Sequence, residues 1–260
     1  MRPGPAVLLT DFGLRDPYAG IVKGVILAHA PKADIVDLGH ELDPQDLRGA
    51  ALALRAAAPF FPERALFVVV VDPGVGSPRR ILWARSRSRQ YLVPDNGVLS
   101  WLDKDEAPVV WRAVRNPAWF LPAASSVFHG RDRFAPVAAA LLNGVSPAAL
   151  GPRIHDPVRL PWPEPKASRT GLSGEILSFD RFGNAVTSIP SSRVPSGARV
   201  FHRGRGLGPL RSFYAEVPRG RVLAVAGSSG LVELSTREGD YRARTRARPG
   251  DPVHVRHPRR

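Results

Sequence analysis

The residues of this chain that could do chemistry fall in five short polar clusters. They are Thr10-Asp11-Phe12-Gly13 with Asp16, Asp72 with Arg79 in VVVDPGVGSPRR, Pro94-Asp95-Asn96-Gly97, His129-Gly130-Arg131-Asp132, and Asp180-Arg181-Phe182-Gly183-Asn184. Asp72, Arg79 and His129 are the most suggestive set. An arginine beside a carboxylate favours its ionised form and fixes its orientation, which leaves that carboxylate a weak general base. If the three meet, the better proton acceptor is His129, with an ordinary pKa of about 6.5, while Asp72 and Arg79 orient a water or hold a hydroxide.

Plainer readings stand beside these. Asp16 and Asp132 suit helix N-caps, and Asp95-Asn96-Gly97 suits a tight turn. Asp11 and Asp72 are harder to set aside, because both close apolar runs that read as parallel strands, and open α/β sheets form their crevice at such strand ends. Asp11, Asp72, His40 and His129 offer metal-ligand types, but no close HxH or HxxxH pair anchors them, so no metal is expected. No GxSxG elbow marks a nucleophilic serine. With no cysteine among the 260 residues, thiolate chemistry and disulfides are excluded, which fits a reducing compartment.

The elements that must position these clusters follow from the hydrophobic pattern. AVLLT reads as a buried strand, Asp16-Pro17 as a helix start, and a strand follows around Asp34 to Leu38. Asp43-Pro44 reads as the start of a second helix that Pro59 and Pro62 close, and LFVVVV as a strand buried on both faces. ILWARSRS, YLVPDNGVLSWL and VVWRAVR read as further strands, and FHGRDRFAPVAAALLNG as a loop entering a helix near Asp132. From 151 to 170 prolines are frequent and periodicity is lost. Beyond that, short apolar runs alternate with turn residues. The expected architecture is an N-terminal α/β domain (1–150) with a mainly parallel sheet, a Pro-rich linker (151–170), and an all-β barrel domain (171–260).

Hydrophobic residues make up 43% of the chain, enough for one large core or two modest ones. No apolar run is long enough to cross a bilayer, and no signal-peptide pattern opens the chain, so a soluble cytoplasmic protein is expected. The net charge of +14 invites a nucleic-acid reading. Many of the arginines lie between Arg237 and Arg260, where the chain reads as a solvated, frayed end, and no nucleic-acid-binding motif accompanies them. Compositional bias is the better explanation.

TDFGLRDPYAGIVKG, VVDPGVGSPRR, VPDNGVLS, FHGRDRFAPVAAAL and DRFGNAVTSIP, in this order, resemble the S-adenosylmethionine hydroxide adenosyltransferases, relatives of fluorinating and chlorinating enzymes that act on the same substrate. The resemblance runs from about Val7 to Glu233. It implies a two-domain subunit, a homotrimer with substrate between the N-domain of one subunit and the C-domain of the next, and displacement at ribose C5′ with water as nucleophile. Products would be adenosine and L-methionine. S-adenosylmethionine is then the substrate, and no cofactor is implied. Asp72, Arg79 and His129 match the group thought to handle the water. Asp11 resembles the ribose-diol carboxylate, and Asp16 lies near the sugar and methionine. Asp180 resembles the residue for the methionine ammonium, and Asn184 the reader of the adenine edge. Phe213 or Tyr214 covers the adenine face, and Ser228 and Ser229 suit the methionine carboxylate. Phe182 and Glu233 complete the substrate-binding set.

Two other readings are kept: a chlorinating homologue, and a non-catalytic adenosyl-ligand binding protein. The halogenating branch carries a serine beside the histidine where this chain has Gly130, which favours water. The chain departs from the family in TSIP, where TNIP is usual, and in its closing stretch YRARTRARPGDPVHVRHPRR.

Overall fold

A computed structural model describes residues 4–87, 89–107, 109–122 and 125–258. The chain forms two compact units, divided between Pro161 and Trp162. The first unit is built on β1 (Ala6–Thr10), α1 (Tyr18–His29), β2 (Ile35–Gly39), α2 (Leu47–Ala57), β3 (Leu66–Val70), β4 (Ile81–Ser86), β5 (Arg89–Pro94), α3 (Leu102–Asp105), β6 (Val109–Ala113), α4 (Ala135–Leu142) and β7 (Arg153–Ile154). Its sheet has the order β2-β1-β3-β5-β4-β6-β7. The pairs β1–β2, β1–β3 and β3–β5 are parallel, and those of β4 and β7 antiparallel. The sheet is thus parallel on one side and antiparallel on the other.

β1 and β3 are fully buried, as continuous apolar runs covered on both faces must be. Leu8, Val68 and Val70 pack with Val22 and Ile26 of α1 and with Ala135, Ala138 and Leu142 around α4. Thr10 lies in register with Val70, so Asp11 and the Val71-Asp72 step leave the sheet side by side at the carboxyl ends of neighbouring strands. This pairing brings residues about sixty positions apart in sequence to one edge.

Several helix starts differ from expectation. Pro17, with no side-chain hydrogen bond, precedes α1, and Asp16 is exposed rather than capping. The second helix begins after Asp46, which accepts from Gly49 N at 2.8 Å; the Asp43-Pro44 signal instead opens a turn. The approach to α4 is helical from Gly130, in a π-type turn over Gly130–Phe134. Asp132 does not cap it: its buried carboxylate accepts from Ser125 N and Arg131.

The second unit contains β8 (Lys166–Ser168), β9 (Gly171–Phe179), β10 (Ala185–Pro190), β11 (Arg199–His202), β12 (Arg205–Arg211), β13 (Val222–Ala226), β14 (Leu231–Thr236), α5 (Tyr241–Thr245) and β15 (Pro252–Arg256). The long strand β9 pairs with β15 through its first half and with β10 through its second, which closes a seven-stranded barrel, while β8 lies alongside its start. The stretch 151–170 therefore carries one short strand of each sheet. As far as Pro258, the last described residue, the arginine-rich end is not frayed. Asp240 caps α5 by accepting from Ala243 N, and β15 lies between β11 and β9 with Val253 and Val255 in the barrel core. Alternation of Val with polar residues in PVHVR explains this: the apolar side turns inward and the charges outward. Among the described residues no helix is long and apolar enough to cross a membrane.

Candidate active site

The turn after β3 brings the first set together. Asn96 Nδ2 donates to Val71 O, bracing the strand end, and Val75 N donates to Asp72 O as the chain reverses. Gly76 has φ +81, and a Cβ there would sit 2.6 Å from Ser126 O, so this close approach of two loops needs glycine. The reversal delivers Arg79 to Asp72 as a fork. Nε donates to Oδ1 at 2.7 Å and Nη2 to Oδ2, and Nη2 also reaches His129 Nδ1 at 2.9 Å. The side chains of Arg79 and Asp72 are only 9% and 4% exposed, and His129 is buried. Three residues from two distant loops form one buried chain of hydrogen bonds.

Guanidinium has donors only, so His129 accepts at Nδ1 and its neutral ring carries the proton on Nε2. Burial, reinforced by Arg133 and Arg79, pushes the His129 pKa down and keeps that ring neutral. Its Nε2 and Arg79 Nη1 are both buried without a hydrogen-bond partner among the described residues. The set therefore presents two unused donors beside a fixed carboxylate. This is a different chemistry from the proton acceptor expected of His129, because the accepting nitrogen is already taken by Arg79. Such a set suits an oxygen nucleophile held by donors on one side and by Asp72 on the other.

Asp11, at the end of the adjacent strand, accepts from Gln45 N at 2.8 Å, with Gln45 in the left-handed region, φ 65. Behind it the buried His40 joins Thr10 Oγ1 through Nδ1 at 2.9 Å, and its Nε2 lies 3.1 Å from Asp37. His40 and Gln45 were not assigned supporting roles from the sequence; the αL backbone of a glutamine leaves no sequence signal. Phe12, Tyr18 and Phe128 meet edge to face with centroids 5.2–6.0 Å apart. Among the described residues, no group of three or more His, Asp and Glu converges as a metal-ligand set.

The second unit gathers another set. Asp180 Oδ1 accepts from Phe182 N and Asn184 N, and Oδ2 accepts from Asn184 Nδ2 at 2.8 Å. Tyr214 OH donates to Glu233 Oε2 at 3.2 Å. Glu233 is buried on β14, and burial together with the nearby Asp180 raises its carboxyl pKa; burial and the Glu233 carboxylate push Tyr214 up to about 12. Phe182 and Phe213 are 76% and 58% exposed. Ser228 and Ser229 are exposed in the turn between β13 and β14, closed by Gly230 N to Gly227 O.

Comparison with known proteins gives these two sets a common context. Residues 6–151 match the model of the SAM hydroxide adenosyltransferase N-terminal domain, and residues 174–254 that of the C-terminal domain. The chain belongs to the SAM hydroxide adenosyltransferase family. It is 43% identical over 258 residues to the (R)-S-adenosyl-L-methionine hydrolase of Thermus thermophilus, covering 96% of this chain and 99% of that protein. A fluorinase of an Actinoplanes species is a more distant family relative, 27% identical over 208 residues and 70% of each chain. The fold is similar to the crystal structure of an uncharacterized conserved protein from Thermotoga maritima, with a TM-score of 0.90, 30% identity, and coverage of 97% of this chain and 100% of that one.

Proposed function

We propose that the protein hydrolyses S-adenosyl-L-methionine to adenosine and L-methionine by attack of water at ribose C5′. The observation that carries this is the buried Asp72–Arg79–His129 chain with its two unused donors. Water oxygen forms the new bond to C5′ as the C5′–S bond breaks, and the sulfonium leaves as a neutral thioether, so the leaving group needs no acid. The attacking water becomes a strongly acidic oxonium, and even an arginine-paired Asp72 is basic enough to take its proton and pass it to solvent. Arg79 and His129 Nε2–H orient the oxygen and exclude competing poses.

Asp11 holds the ribose hydroxyls, with Asp16 at the sugar. Asp180, Asn184, Phe182, Glu233, the Phe213-Tyr214 pair and the Ser228-Ser229 turn bind the adenine and amino-acid ends. We place this second set in the same site through a homotrimer, in which the C-terminal unit of one subunit meets the N-terminal unit of its neighbour; the exposed aromatics Phe182 and Phe213 fit such a contact. The chlorinating alternative is disfavoured because this chain has Gly130 where the halogenating branch carries a serine; a Cβ there would lie 3.2 Å from Phe12 and 3.3 Å from Phe128, so those rings would have to shift to admit one.

The test is incubation with S-adenosylmethionine in ¹⁸O-labelled water containing chloride, with products followed by mass spectrometry. Labelled adenosine with methionine supports the proposal. Bound but intact substrate, or a 5′-chloro product, refutes it.

A further inference from the structure

The cluster Pro94-Asp95-Asn96-Gly97 has no part in the reaction as described so far, yet its two polar side chains reach the strand ends that carry Asp72 and Arg79. Asn96 Nδ2 donates at 2.9 Å to the carbonyl of Val71, the residue before Asp72. Asp95 N donates at 2.9 Å to the carbonyl of Arg80, the residue after Arg79, and Asp95 Oδ2 accepts from Arg80 Nε at 2.6 Å. Two consecutive arginines therefore serve two different aspartates, Arg79 on Asp72 and Arg80 on Asp95.

The second ion pair is more than a tight turn requires, since a turn closes on backbone hydrogen bonds. The Asp95 side chain is only 3% exposed, and its Oδ1 accepts from Val158 N at 2.7 Å, so the buried carboxylate has both a cation and a further donor. Arg80 carries the network outward. Its Nη1 donates to Asp156 Oδ1 at 3.0 Å and its Nη2 to Asp156 O at 2.7 Å. The stretch from 156 to 160 is pinned once more where Leu160 N donates to Ser100 Oγ at 2.7 Å. Gly97, at φ +87, makes room for it, because a Cβ there would strike Leu160. The turn is held from outside by this stretch, and from inside it holds both strand ends.

Resting on the function proposed above, we infer that Asp95 and Arg80 are positioning residues for the hydrolysis: with Asn96 they fix the spacing of the Asp72 and Arg79 backbones, so that one guanidinium spans Asp72 and His129. In this role neither residue touches the attacking water or the substrate. The effect travels through the main chain. A shift of Arg80 moves Arg79, whose Nη2 must reach Asp72 and His129 Nδ1 at once. Misplacing such a group by about 1 Å can cost on the order of a hundredfold in rate.

The test measures kcat, KM, the pH-rate profile and the melting temperature of Asp95→Asn, Arg80→Lys and Arg80→Met in the full-length protein. In Asp95→Asn kcat should fall about ten- to a hundredfold, with KM within about twofold of the wild type. Arg80→Lys keeps a cation for Asp95 and should retain more of kcat than Arg80→Met; if Asp95→Asn does not fold, this pair carries the same comparison. A second signature lies at His129, which Arg79, Arg133, Asp72 and Asp132 face. Arg79 is the group that donates to its Nδ1, so when Arg79 withdraws the ring protonates more readily and the acid fall in kcat should move to higher pH. A brace with no positioning role would lower the melting temperature without moving that fall. Variants that keep kcat within about twofold and the wild-type acid fall, or that raise KM alone, overturn the assignment and leave hydrolysis intact. A wild type that releases no adenosine from S-adenosylmethionine overturns the functional reading itself.

Discussion

Asp72→Asn tests the central chain with almost no change of volume. Arg79 places two N–H groups on the two carboxylate oxygens, and the amide can answer only one; its NH₂ then faces a donor. With side-chain exposures of 4% and 9%, solvent cannot fully replace the lost contact. A hydrogen bond to a charged group in such a setting contributes about 1.5–3 kcal/mol. At about 1.4 kcal/mol per tenfold, loss of the same interaction with the attacking water should lower kcat at least roughly 10- to 150-fold, with loss of the proton acceptor adding to it. KM should change little, since the role proposed for Asp72 is toward the nucleophile rather than the adenosyl group. The melting temperature should fall by about 2–4 °C per kcal/mol lost. Adenosine release measured by chromatography, with thermal melting on the same samples, separates the two effects. A variant that melts lower but keeps kcat within about twofold would show that the pair only braces the loop, and the water-holding argument would fail.

Other consequences follow from the same geometry. Because burial, Arg133 and Arg79 depress the His129 pKa, its neutral form is the native one; stability should hold above pH about 6.5 and decline as pH falls from there toward the lowered native value, whereas kcat should hold until pH nears that lowered value, in parallel melts and a pH-rate profile. If His129 were instead paired with an anion, the fall in kcat would begin at higher pH and acidification would stabilise the fold rather than weaken it. Gly76→Ala imposes a positive φ and a 2.6 Å approach to Ser126 O, so unfolding should become easier by about 1–3 kcal/mol and turnover should fall with the displaced Arg79 loop. Asp11→Ala should raise KM by about tenfold or more with a smaller change in kcat, and an unchanged KM would remove the ribose assignment.

Much of the fold was legible because it rests on local patterns. The runs AVLLT and LFVVV are strands buried on both faces, and the second half alternates as a barrel must. Cap assignments failed where two aspartates competed: Asp46, not Asp43, lies three residues before an available N–H. The arginine-rich end misled because charge density masked a period-two pattern, and a strand that closes a barrel is stabilised by neighbours far away in the chain.

For the candidate site, residue types and order singled out Asp72, Arg79 and His129 as a set, and the fold brings the three into contact. What their atoms can do was decided by tertiary structure. The fork of Arg79 onto Asp72, its occupation of His129 Nδ1, and the burial that keeps the imidazole neutral turn an expected proton acceptor into a donor. Hydrogen-bond direction and desolvation depend on which groups meet in space, and a linear order of residues does not carry that information.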